Sequence, residues 1–368
     1  MNILYDHQIF SAQKIGGISR YFVELIRNLP AEFITRQSAI LTDNIYLQDM
    51  QKSNSLNGFY EKKRMYSLVK NNFKGKHRMY SLVNKLNTIR LLSSSDYDVF
   101  HPTYYNPYFL RQNKKPYVLT VHDMIHEKYP TLFLDRTAEF KKKIVQNAAK
   151  VIAISNHTKQ DLIELYGIDE RKIDVVYLGQ SIDVNKAEEV KNLPSSYLLY
   201  VGGRSSYKNF DTFLKAFAVL AEQYPDLFLI CTGGKFTIEE QQKIASLHLS
   251  KKVSCLFVSD AQLAYLYLKA KCFVFPSVYE GFGIPILEAF AAGCPIALSN
   301  TSCFPEVAQS GGCYFDPYNV DSMVHSISML LSDESYHKHQ IAEGYNVLKQ
   351  YSWERMGKEI AAIYRSIV

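Results

Sequence analysis

Short apolar strands alternate with amphipathic helices along the whole chain, and this alternation restarts once, near residue 197. NILYD, YVLTVHD and VIAIS are strand-like, and helical patterns such as GGISRYFVELIRNL follow them. YLLYVGG opens the second series, which includes LFLICTGG, CFVFPS and PIALS. Such alternation is typical of parallel sheets covered by helices on both faces. The sequence therefore predicts an α/β fold with two such sheets.

A polar stretch, DVNKAEEVKNLPSS, separates the two series at residues 183–196. A chain of 368 residues suits two domains of about 150–200 residues better than one core. We predict Rossmann-like domains over 1–182 and 196–351. The amphipathic run 352–368 is predicted to be a helix that packs back on the first domain. Because ligands bind beyond the carboxyl ends of parallel strands, we expect a site between the two facing domains.

The composition, 47% hydrophobic and 21% charged, is that of an ordinary globular protein. No stretch approaches the ~18 consecutive apolar residues that span a bilayer. The start, MNILYDHQIF, lacks the regions of a secretory signal. The six cysteines form no CxxC pair, which favours reduced, buried thiols. We therefore expect a cytoplasmic protein, with a peripheral position at the inner face of the membrane as an open alternative.

Residues 61–90 carry nine lysines and arginines but one acid. The run RMYSLV occurs at Arg64–Val69 and again at Arg78–Val83, an offset of 14 residues. This offset is close to four helical turns, so both copies would lie on nearly the same helix face. Cations beside apolar side chains suit an anionic membrane surface or an acidic lipid-linked partner. A solvated helix face is the alternative.

The stretch YEGFGIPILEAFAAG follows a predicted strand and carries Glu280 and Glu288. Gly281 and Gly283 would let the backbone approach a ligand, and a helix beginning near Pro285 would present N–H groups to a phosphate. Glu280 is suited to accept hydrogen bonds from sugar hydroxyls. Glu288 is suited either to ribose hydroxyls or to a favourable interaction with the helix dipole.

Arg204 and Lys208 lie four residues apart in VGGRSSYKNF, directly after a predicted strand. They suit a diphosphate, because arginine offers a bidentate fork and lysine a point charge. A solvated pair at a turn is the alternative. Gly16 and Gly17 follow the first strand and would let N–H groups approach an anion. They do not complete a GxGxxG, so no dehydrogenase is predicted.

These motifs resemble glycosyltransferase family 4, whose GT-B fold has two facing Rossmann-like domains with a cleft between them. The resemblance covers nearly the whole chain and is strongest over 200–317. It rests chiefly on the E-x7-E segment of FPSVYEGFGIPILEAFAAGCPIALSN. GGISRYF, TVHDM, ISNHTKQDL, VVYLG, VGGRSSYKNF and the PEV at Pro305–Val307 support it.

The resemblance implies a role for each matching position. Gly17 would offer its backbone N–H to the donor phosphate, and His122 would lie beside the donor sugar at the reaction centre. Arg204 and Lys208 would neutralise the leaving diphosphate, although three residues separate them here where many relatives have four. Glu280, with the backbone of Gly281, Phe282 and Gly283, would hold the hexose of the donor. Glu288 would hold its ribose.

The resemblance further implies a retaining hexosyltransferase that needs no metal or other cofactor. Its donor would be a nucleotide-diphosphate sugar, with GDP-mannose favoured. Its acceptor would be a lipid-linked or oligosaccharide chain in surface polysaccharide synthesis. The motifs look most like mannosyl- and rhamnosyltransferases of O-antigen and capsule assembly. A sugar-nucleotide 2-epimerase and a non-catalytic binding partner of the same fold remain alternatives, and no nucleic acid partner is predicted.

Two motifs that could suggest a metal are interpreted otherwise. Asp96 and Asp98 match the D-x-D of the other large glycosyltransferase fold, but they lie at a strand start, away from the expected ligand edge. His122 and His126 have the i,i+4 spacing of some zinc sites without the HExxH glutamate. No metal ligands are therefore predicted.

Overall fold

The computed structural model describes residues 1–52, 75–204 and 206–368. The chain forms two compact units: unit 1 comprises Met1–Leu178 and Trp353–Val368, and unit 2 comprises Gly179–Ser352. The polar stretch 183–196 belongs to unit 2, where the N–H of Glu188 donates to the carbonyl of Ala261 at 3.1 Å. Within the described ranges, no helix combines the length and apolarity needed to cross a membrane.

Unit 1 contains two parallel three-stranded sheets, in the orders β2-β1-β3 and β4-β5-β6. A parallel bridge between Phe100 and Tyr117 links them, so the carboxyl ends of all these strands lie at one edge. The strands are β1 (Asn2–Tyr5), β2 (Ile34–Gln37), β3 (Val99–His101), β4 (Val118–Val121), β5 (Lys150–Ala153) and β6 (Ile173–Val175).

The helices of unit 1 cover these sheets, and the last of them, α15, comes from the far end of the chain. A Cβ at Gly357 of α15 would lie 2.2 Å from the carbonyl oxygen of Asn28, so only glycine allows α15 to pack this closely on α2. The helices are α1 (Gln8–Ala12), α2 (Gly17–Asn28), α3 (Ile45–Lys52), α4 (Lys76–Ser94), α5 (Ile125–Lys128), α6 (Thr137–Asn147), α7 (Asn156–Tyr166) and α15 (Trp353–Arg365).

A buried chain of hydrogen bonds crosses the core of unit 1. The hydroxyls of Tyr5 and Tyr364 lie 3.0 Å apart, and Tyr364 lies 2.6 Å from Nδ1 of His101. Nε2 of His101 lies 3.0 Å from the hydroxyl of Thr120, which lies 2.9 Å from that of Tyr21. Burial lowers the pKa of His101 to about 3. The histidine is therefore neutral and ties α15 to three strands and α2.

Unit 2 contains one parallel six-stranded sheet in the order β12-β11-β10-β7-β8-β9. β7 and β10 are neighbours at its centre, so the loops that follow them meet at the carboxyl edge. Phe213, Phe217 and Leu330 are fully or almost fully buried in the core on one face. The strands are β7 (Tyr197–Val201), β8 (Phe228–Thr232), β9 (Val253–Leu256), β10 (Cys272–Phe275), β11 (Ile296–Ser299) and β12 (Gly312–Phe315).

Local sequence explains where several helices of unit 2 begin. Thr237 and Glu240 form a capping box at α9, and Ser259 and Gln262 form one at α10. Asn319 caps α13 through its side chain. The helices are α8 (Phe210–Gln223), α9 (Ile238–Ser246), α10 (Asp260–Lys269), α11 (Ile284–Ala291), α12 (Phe304–Ala308), α13 (Val320–Ser332) and α14 (Glu334–Leu348).

The predicted basic segment 61–90 is only partly described. Its residues 61–74, which include the first RMYSLV copy at Arg64–Val69, lie outside the described residues. The second copy, Arg78–Val83, lies within α4.

Candidate functional site

Two glycines let the loops after β7 and β8 approach each other at the carboxyl edge of unit 2. Gly202 and Gly233 have φ values of 113° and 114°, which L side chains rarely adopt. A Cβ on Gly233 would lie 2.9 Å from the carbonyl oxygen of Gly202. Glycine at positions 202 and 233 is therefore needed for this close approach.

Lys208 and Glu280 form an ion pair at this edge. The ammonium nitrogen of Lys208 lies 2.5 Å from Oε1 of Glu280, and both side chains are largely buried. The N–H of Val278 donates to the carbonyl of Tyr207 at 2.9 Å and so links the two loops that carry the pair. The structure thus brings together one residue predicted to hold the hexose and one predicted to hold the diphosphate.

Ser302 and Cys303 hold the backbone of Glu280, and the sequence analysis did not identify either. The hydroxyl of Ser302 accepts the N–H of Glu280 at 3.1 Å and donates to its carbonyl at 2.7 Å. The thiol of Cys303 donates to the same carbonyl at 3.2 Å. The polar residues directly after β11, at a ligand-binding edge, were the available signal.

The loop from Glu280 continues into α11 through Gly283. Gly283 has φ 90°, and a Cβ there would lie 3.1–3.2 Å from Ile286, Phe275 and Phe304. Pro285 lies in the first helical turn, and no described side chain caps the helix. Its first N–H groups therefore lie at the same loop as the ion pair.

Two further residues of this loop have buried side chains. Phe282 is 2% exposed, with its ring edge-on to that of Tyr351 at 5.8 Å, so its backbone is the part suited to a ligand. Glu288 is 6% exposed and accepts a hydrogen bond from the hydroxyl of Tyr267 at 3.3 Å. Glu288 lies beyond the first turn of α11, which weakens the helix-dipole alternative. Its ribose role stays a prediction.

The guanidinium of Arg204 binds groups within unit 2. Nε donates to Glu240 at 2.9 Å, and Nη2 donates to the carbonyls of Gly234 and Lys235 at 2.6 and 3.1 Å. The ring of Phe236 lies over it at 4.8 Å, and the side chain is 5% exposed. Arg204 therefore fixes the loop between β8 and α9, a contact that the sequence did not indicate. Its direct contact with a diphosphate stays a prediction.

In unit 1, His122 directly follows β4 and is 7% exposed. Its backbone N–H donates to the hydroxyl of Tyr105 at 3.0 Å, and the Tyr21 ring lies edge-on to its imidazole at 5.0 Å. Burial lowers the pKa of His122 to about 4, so the imidazole is neutral near pH 7. Its Nε2 has no hydrogen-bond partner among the residues described. A buried nitrogen of this kind is suited to a substrate hydroxyl.

Lys141, a residue without a sequence motif, supports the segment that carries His122. Its fully buried ammonium donates to the carbonyl of Asp123 and to Glu127, both at 2.9 Å. It also lies 4.9 Å from the ring centre of Tyr105, whose hydroxyl holds the backbone of His122. The run KKK at residues 141–143 does not indicate which lysine is buried.

Gly17 is the first residue of α2, in the same unit as His122. A Cβ built on it would meet no described atom within 4 Å, so there is open space beside its backbone. The side chain of Gln13 accepts the N–H of Ser19 at 3.2 Å and so occupies one donor of this helix start.

The two metal-like motifs have local partners. Asp98 accepts the backbone N–H of Asn2 at 2.7 Å, and Asp96 lies 4.0 Å from Arg36. The ring of His126 lies against that of Phe133, 4.1 Å between centres. In the three described ranges, no group of three or more histidine, cysteine or acidic residues is placed to hold a metal ion.

Family models match most of the chain in two segments. A model described as Glycosyltransferase Family 4 matches residues 15–184, and one described as Glycosyl transferases group 1 matches residues 181–347. Together they span both structural units, and their boundary lies close to that between the units.

Curated relatives extend this similarity. "O-antigen chain mannosyltransferase B" of Escherichia coli is 28% identical over 95% of this chain and 96% of its own length. "O-antigen chain mannosyltransferase RfbU" of Salmonella typhimurium is 34% identical over 54% of this chain and 56% of its own.

Solved structures share the fold at low identity. Anabaena HepE in complex with UDP-glucose is 18% identical, with a TM-score of 0.74 over the full length of both chains. Sucrose-phosphate synthase from Thermosynechococcus elongatus is 18% identical, with a TM-score of 0.71 over 99% of this chain and 98% of that one. These likenesses confirm the predicted GT-B fold class.

Proposed function

Because this chain belongs to glycosyltransferase family 4, we propose that it transfers mannose from GDP-mannose to a lipid-linked or oligosaccharide acceptor in surface polysaccharide synthesis. The observation that carries the proposal is the ion pair of Lys208 and Glu280 beside the start of α11. The names of the O-antigen mannosyltransferases similar to this chain support mannose as the sugar.

The reaction exchanges one bond at the anomeric carbon of the donor. The bond from this carbon to the β-phosphate oxygen breaks, and its electron pair stays on the diphosphate. A bond forms to the acceptor hydroxyl oxygen, and the hydroxyl proton passes to the leaving diphosphate. Retention of the anomeric configuration is part of the proposal because the family resemblance implies it.

Lys208 and the first N–H groups of α11 supply positive charge for the leaving diphosphate. An ammonium and a helix N-terminus stabilise an anion best where water is excluded, and Lys208 is 21% exposed. We therefore propose that transfer needs no metal. Arg204, held by Glu240, adds a fixed cation to the loop after β8.

Glu280 and Glu288 provide the oxygen acceptors that sugars need. Glu280 is proposed to bind hexose hydroxyls with the backbone of residues 281–283, and Glu288 to bind the ribose. In unit 1, the neutral His122 is proposed to bind the donor sugar through Nε2, and Gly17 to approach the donor phosphate.

The first test is thermal unfolding with GDP-, UDP-, dTDP- and CDP-sugars, with and without EDTA. Ligand at about 100 times its dissociation constant stabilises the native state by roughly 2.7 kcal/mol. We expect a shift with GDP-mannose that survives EDTA and is smaller in Glu280→Gln. A thermal shift that is lost in EDTA contradicts the metal-free proposal. A shift with a UDP-, dTDP- or CDP-sugar instead of GDP-mannose would identify that nucleotide as part of the donor.

Incubation of the enzyme with GDP-mannose, with and without a glycan acceptor, separates transfer from epimerisation. We expect GDP release to rise with acceptor and product NMR to show an α-mannosyl linkage. Conversion of the donor to a second sugar nucleotide without acceptor would instead identify a 2-epimerase.

We propose that α4 lies on an anionic membrane surface. It contains no acid, and its exposed residues include Arg78 and Lys85 beside Met79, Leu82 and Leu86. Leu82 and Leu86 are each 59% exposed, which is unusual for large apolar side chains in adjacent turns. Cations beside such side chains suit the interface of a bilayer that contains acidic lipids.

Co-sedimentation with vesicles tests this surface. We expect binding to phosphatidylglycerol-rich vesicles and little binding to pure phosphatidylcholine vesicles. Arg78→Glu with Leu82→Gln should reduce sedimentation, whereas Lys143→Glu, an equal charge change at an exposed position of α6, should not. Equal loss in both variants would show non-specific charge attraction rather than a surface on α4.

A further inference from the structure

A third buried histidine of unit 1, His7, lies at the carboxyl edge of the sheet, two residues after β1. We propose that His7 and Lys85 form a subsite for the phosphate of a lipid-linked acceptor. This inference rests on the proposed transfer function, and it adds an acceptor site that the motifs did not indicate. His7 is 4% exposed, and its Nε2 has no partner among the described residues.

The hydrogen bonds of Asn84 begin a chain that fixes the tautomer of His7. Its Oδ1 accepts the backbone N–H groups of Ile40 and Leu41 at 2.9 and 3.0 Å. Because those donors fix the amide orientation, its Nδ2 is the atom that lies 3.0 Å from Oγ of Ser11 and donates to it. Asn84 is fully buried, so water does not compete with these bonds.

Ser11 connects Asn84 to His7 and thereby determines which nitrogen of His7 accepts a hydrogen bond. Its Oγ, which already accepts from Asn84, lies 3.1 Å from Nδ1 of His7. No other side-chain or backbone acceptor for its hydroxyl proton is found in the described part of the chain, so the hydroxyl donates to Nδ1. A neutral imidazole with Nδ1 as acceptor carries its proton on Nε2. His7 therefore presents a buried N–H donor that lacks an acceptor among the described residues.

An unmet N–H in a buried position is unfavourable unless a ligand oxygen bonds to it. Burial lowers the pKa of His7, which keeps the ring neutral and preserves this tautomer. The acid beside it, Asp6, does not take the Nε2 proton. Both carboxylate oxygens of Asp6 accept hydrogen bonds from other groups, on Gln8, Thr103 and Tyr108.

The charge nearby favours an anionic ligand. The ring of Tyr108 lies 5.6 Å from that of His7, and the ammonium of Lys85 lies 5.5 Å from the Tyr108 ring centre. Lys85 is close enough to lower the pKa of His7 through its charge. An N–H donor and an exposed ammonium suit a phosphate oxygen. Lys85 also lies on α4, so the subsite adjoins the proposed membrane surface and suits a lipid-linked phosphate.

Binding of a soluble prenyl diphosphate tests the subsite without vesicles. The probe is farnesyl diphosphate, and octyl α-mannoside is the uncharged comparison. In protein labelled with 15N-histidine, we expect the Nε2 resonance of His7 to shift with the diphosphate probe. His7→Leu should weaken its binding about tenfold or more, because a hydrogen bond to a charged group is lost. His7→Gln, which retains a donor near that position, should bind within about threefold of the wild type.

Lys85→Met should weaken binding of the diphosphate probe about three- to tenfold and leave binding of octyl α-mannoside unchanged. Lys143→Met, at an exposed position of α6, is the matched control and should change neither. Wild-type affinity in His7→Leu, or no binding of the probe to the wild type, overturns the subsite. Equal losses of affinity for farnesyl diphosphate and octyl α-mannoside would show that the subsite does not recognise a phosphate. A protein that binds no sugar nucleotide would instead contradict the proposed function.

Discussion

The ammonium of Lys208 lies 2.5 Å from a carboxylate oxygen of Glu280, although the two residues belong to separate motifs 72 positions apart. Each group neutralises the other while both are held in fixed positions. A diphosphate that binds Lys208 competes with Glu280 for the ammonium, and this competition leaves the carboxylate available to sugar hydroxyls. We therefore predict that binding of the phosphates and orientation of the hexose are coupled.

Lys208→Met should lower kcat/KM about 100-fold or more, because one preorganised cation is lost from the leaving group. Glu280→Gln should also lower turnover, and the double variant should lose less than the product of the two effects. Steady-state kinetics of the three variants checks this coupling. Lys243→Met, which breaks the exposed ion pair with Asp211, should leave kinetics unchanged. Strictly multiplicative losses would contradict the coupling.

Glu240→Gln should loosen the loop between β8 and α9, because Glu240 bonds both Arg204 and the backbone of Thr237. We expect faster amide hydrogen exchange over residues 233–237 and a loss of about 0.5–2 kcal/mol from the capped helix and ion pair. Arg204→Met should accelerate exchange in the same loop. Glu239→Gln, at the neighbouring exposed position, is the control. Unchanged exchange in Arg204→Met would show that the loop holds its shape without the guanidinium.

Lys141→Met should lower the free energy of unfolding by about 3–5 kcal/mol, because it removes the cation paired with the buried carboxylate of Glu127. Urea unfolding measures the loss. Lys142→Met, at the exposed neighbour, should change stability by less than about 0.5 kcal/mol. Adding Glu127→Gln to Lys141→Met should restore part of the loss. If it restores none, an unpaired charge is not the cause.

Acid should destabilise the protein through its neutral, buried histidines. The pKa values of His101 and His122 lie at about 3 and 4, below the ordinary histidine value of about 6.5. As the pH falls, these histidines take up protons in the unfolded chain before they do so in the folded protein. Their contribution to the free energy of unfolding is therefore complete above about pH 6.5 and is lost as the pH falls below that value. Each histidine steepens the dependence by up to about 1.4 kcal/mol per pH unit between about pH 4 and 6.

His101→Gln should therefore reduce the slope of unfolding free energy against pH in that window. Urea titrations at several pH values measure this slope. His77→Gln, at an exposed position of α4, should leave it unchanged. An unaltered slope in His101→Gln would show that this residue does not take up its proton on unfolding.

The sequence indicated the residues whose position follows from local pattern. Gly283 and Pro285 lie at the start of α11, and His122 lies at the end of β4, because strand and helix boundaries depend on neighbours along the chain. Side-chain partners far apart in sequence were not accessible in this way. Arg204 suggested a phosphate ligand by its type and its place after a strand, but its bond to Glu240 depends on how two loops meet across the sheet.

Buried charge was equally hidden from the sequence. Lys141, Lys142 and Lys143 are adjacent and chemically identical, yet only the orientation of α6 makes the first of them fully buried. Ser302 acts through its hydroxyl on the backbone of Glu280, and a backbone contact of this kind has no sequence signature. Pattern therefore located the strand edges, whereas three-dimensional packing determined which side chains meet there.

Because α15 belongs to unit 1 but follows all of unit 2 along the chain, the order of synthesis differs from the order of assembly. A ribosome that adds about 5–20 residues per second needs roughly 10–35 s to pass from the last residue of the first segment to α15. During this interval His101 lacks the hydroxyl of Tyr364, and the face of α2 that receives Gly357 is uncovered. Unit 1 therefore receives its last helix only after all of unit 2 has been synthesised, so the earlier-made unit is the later one to be completed.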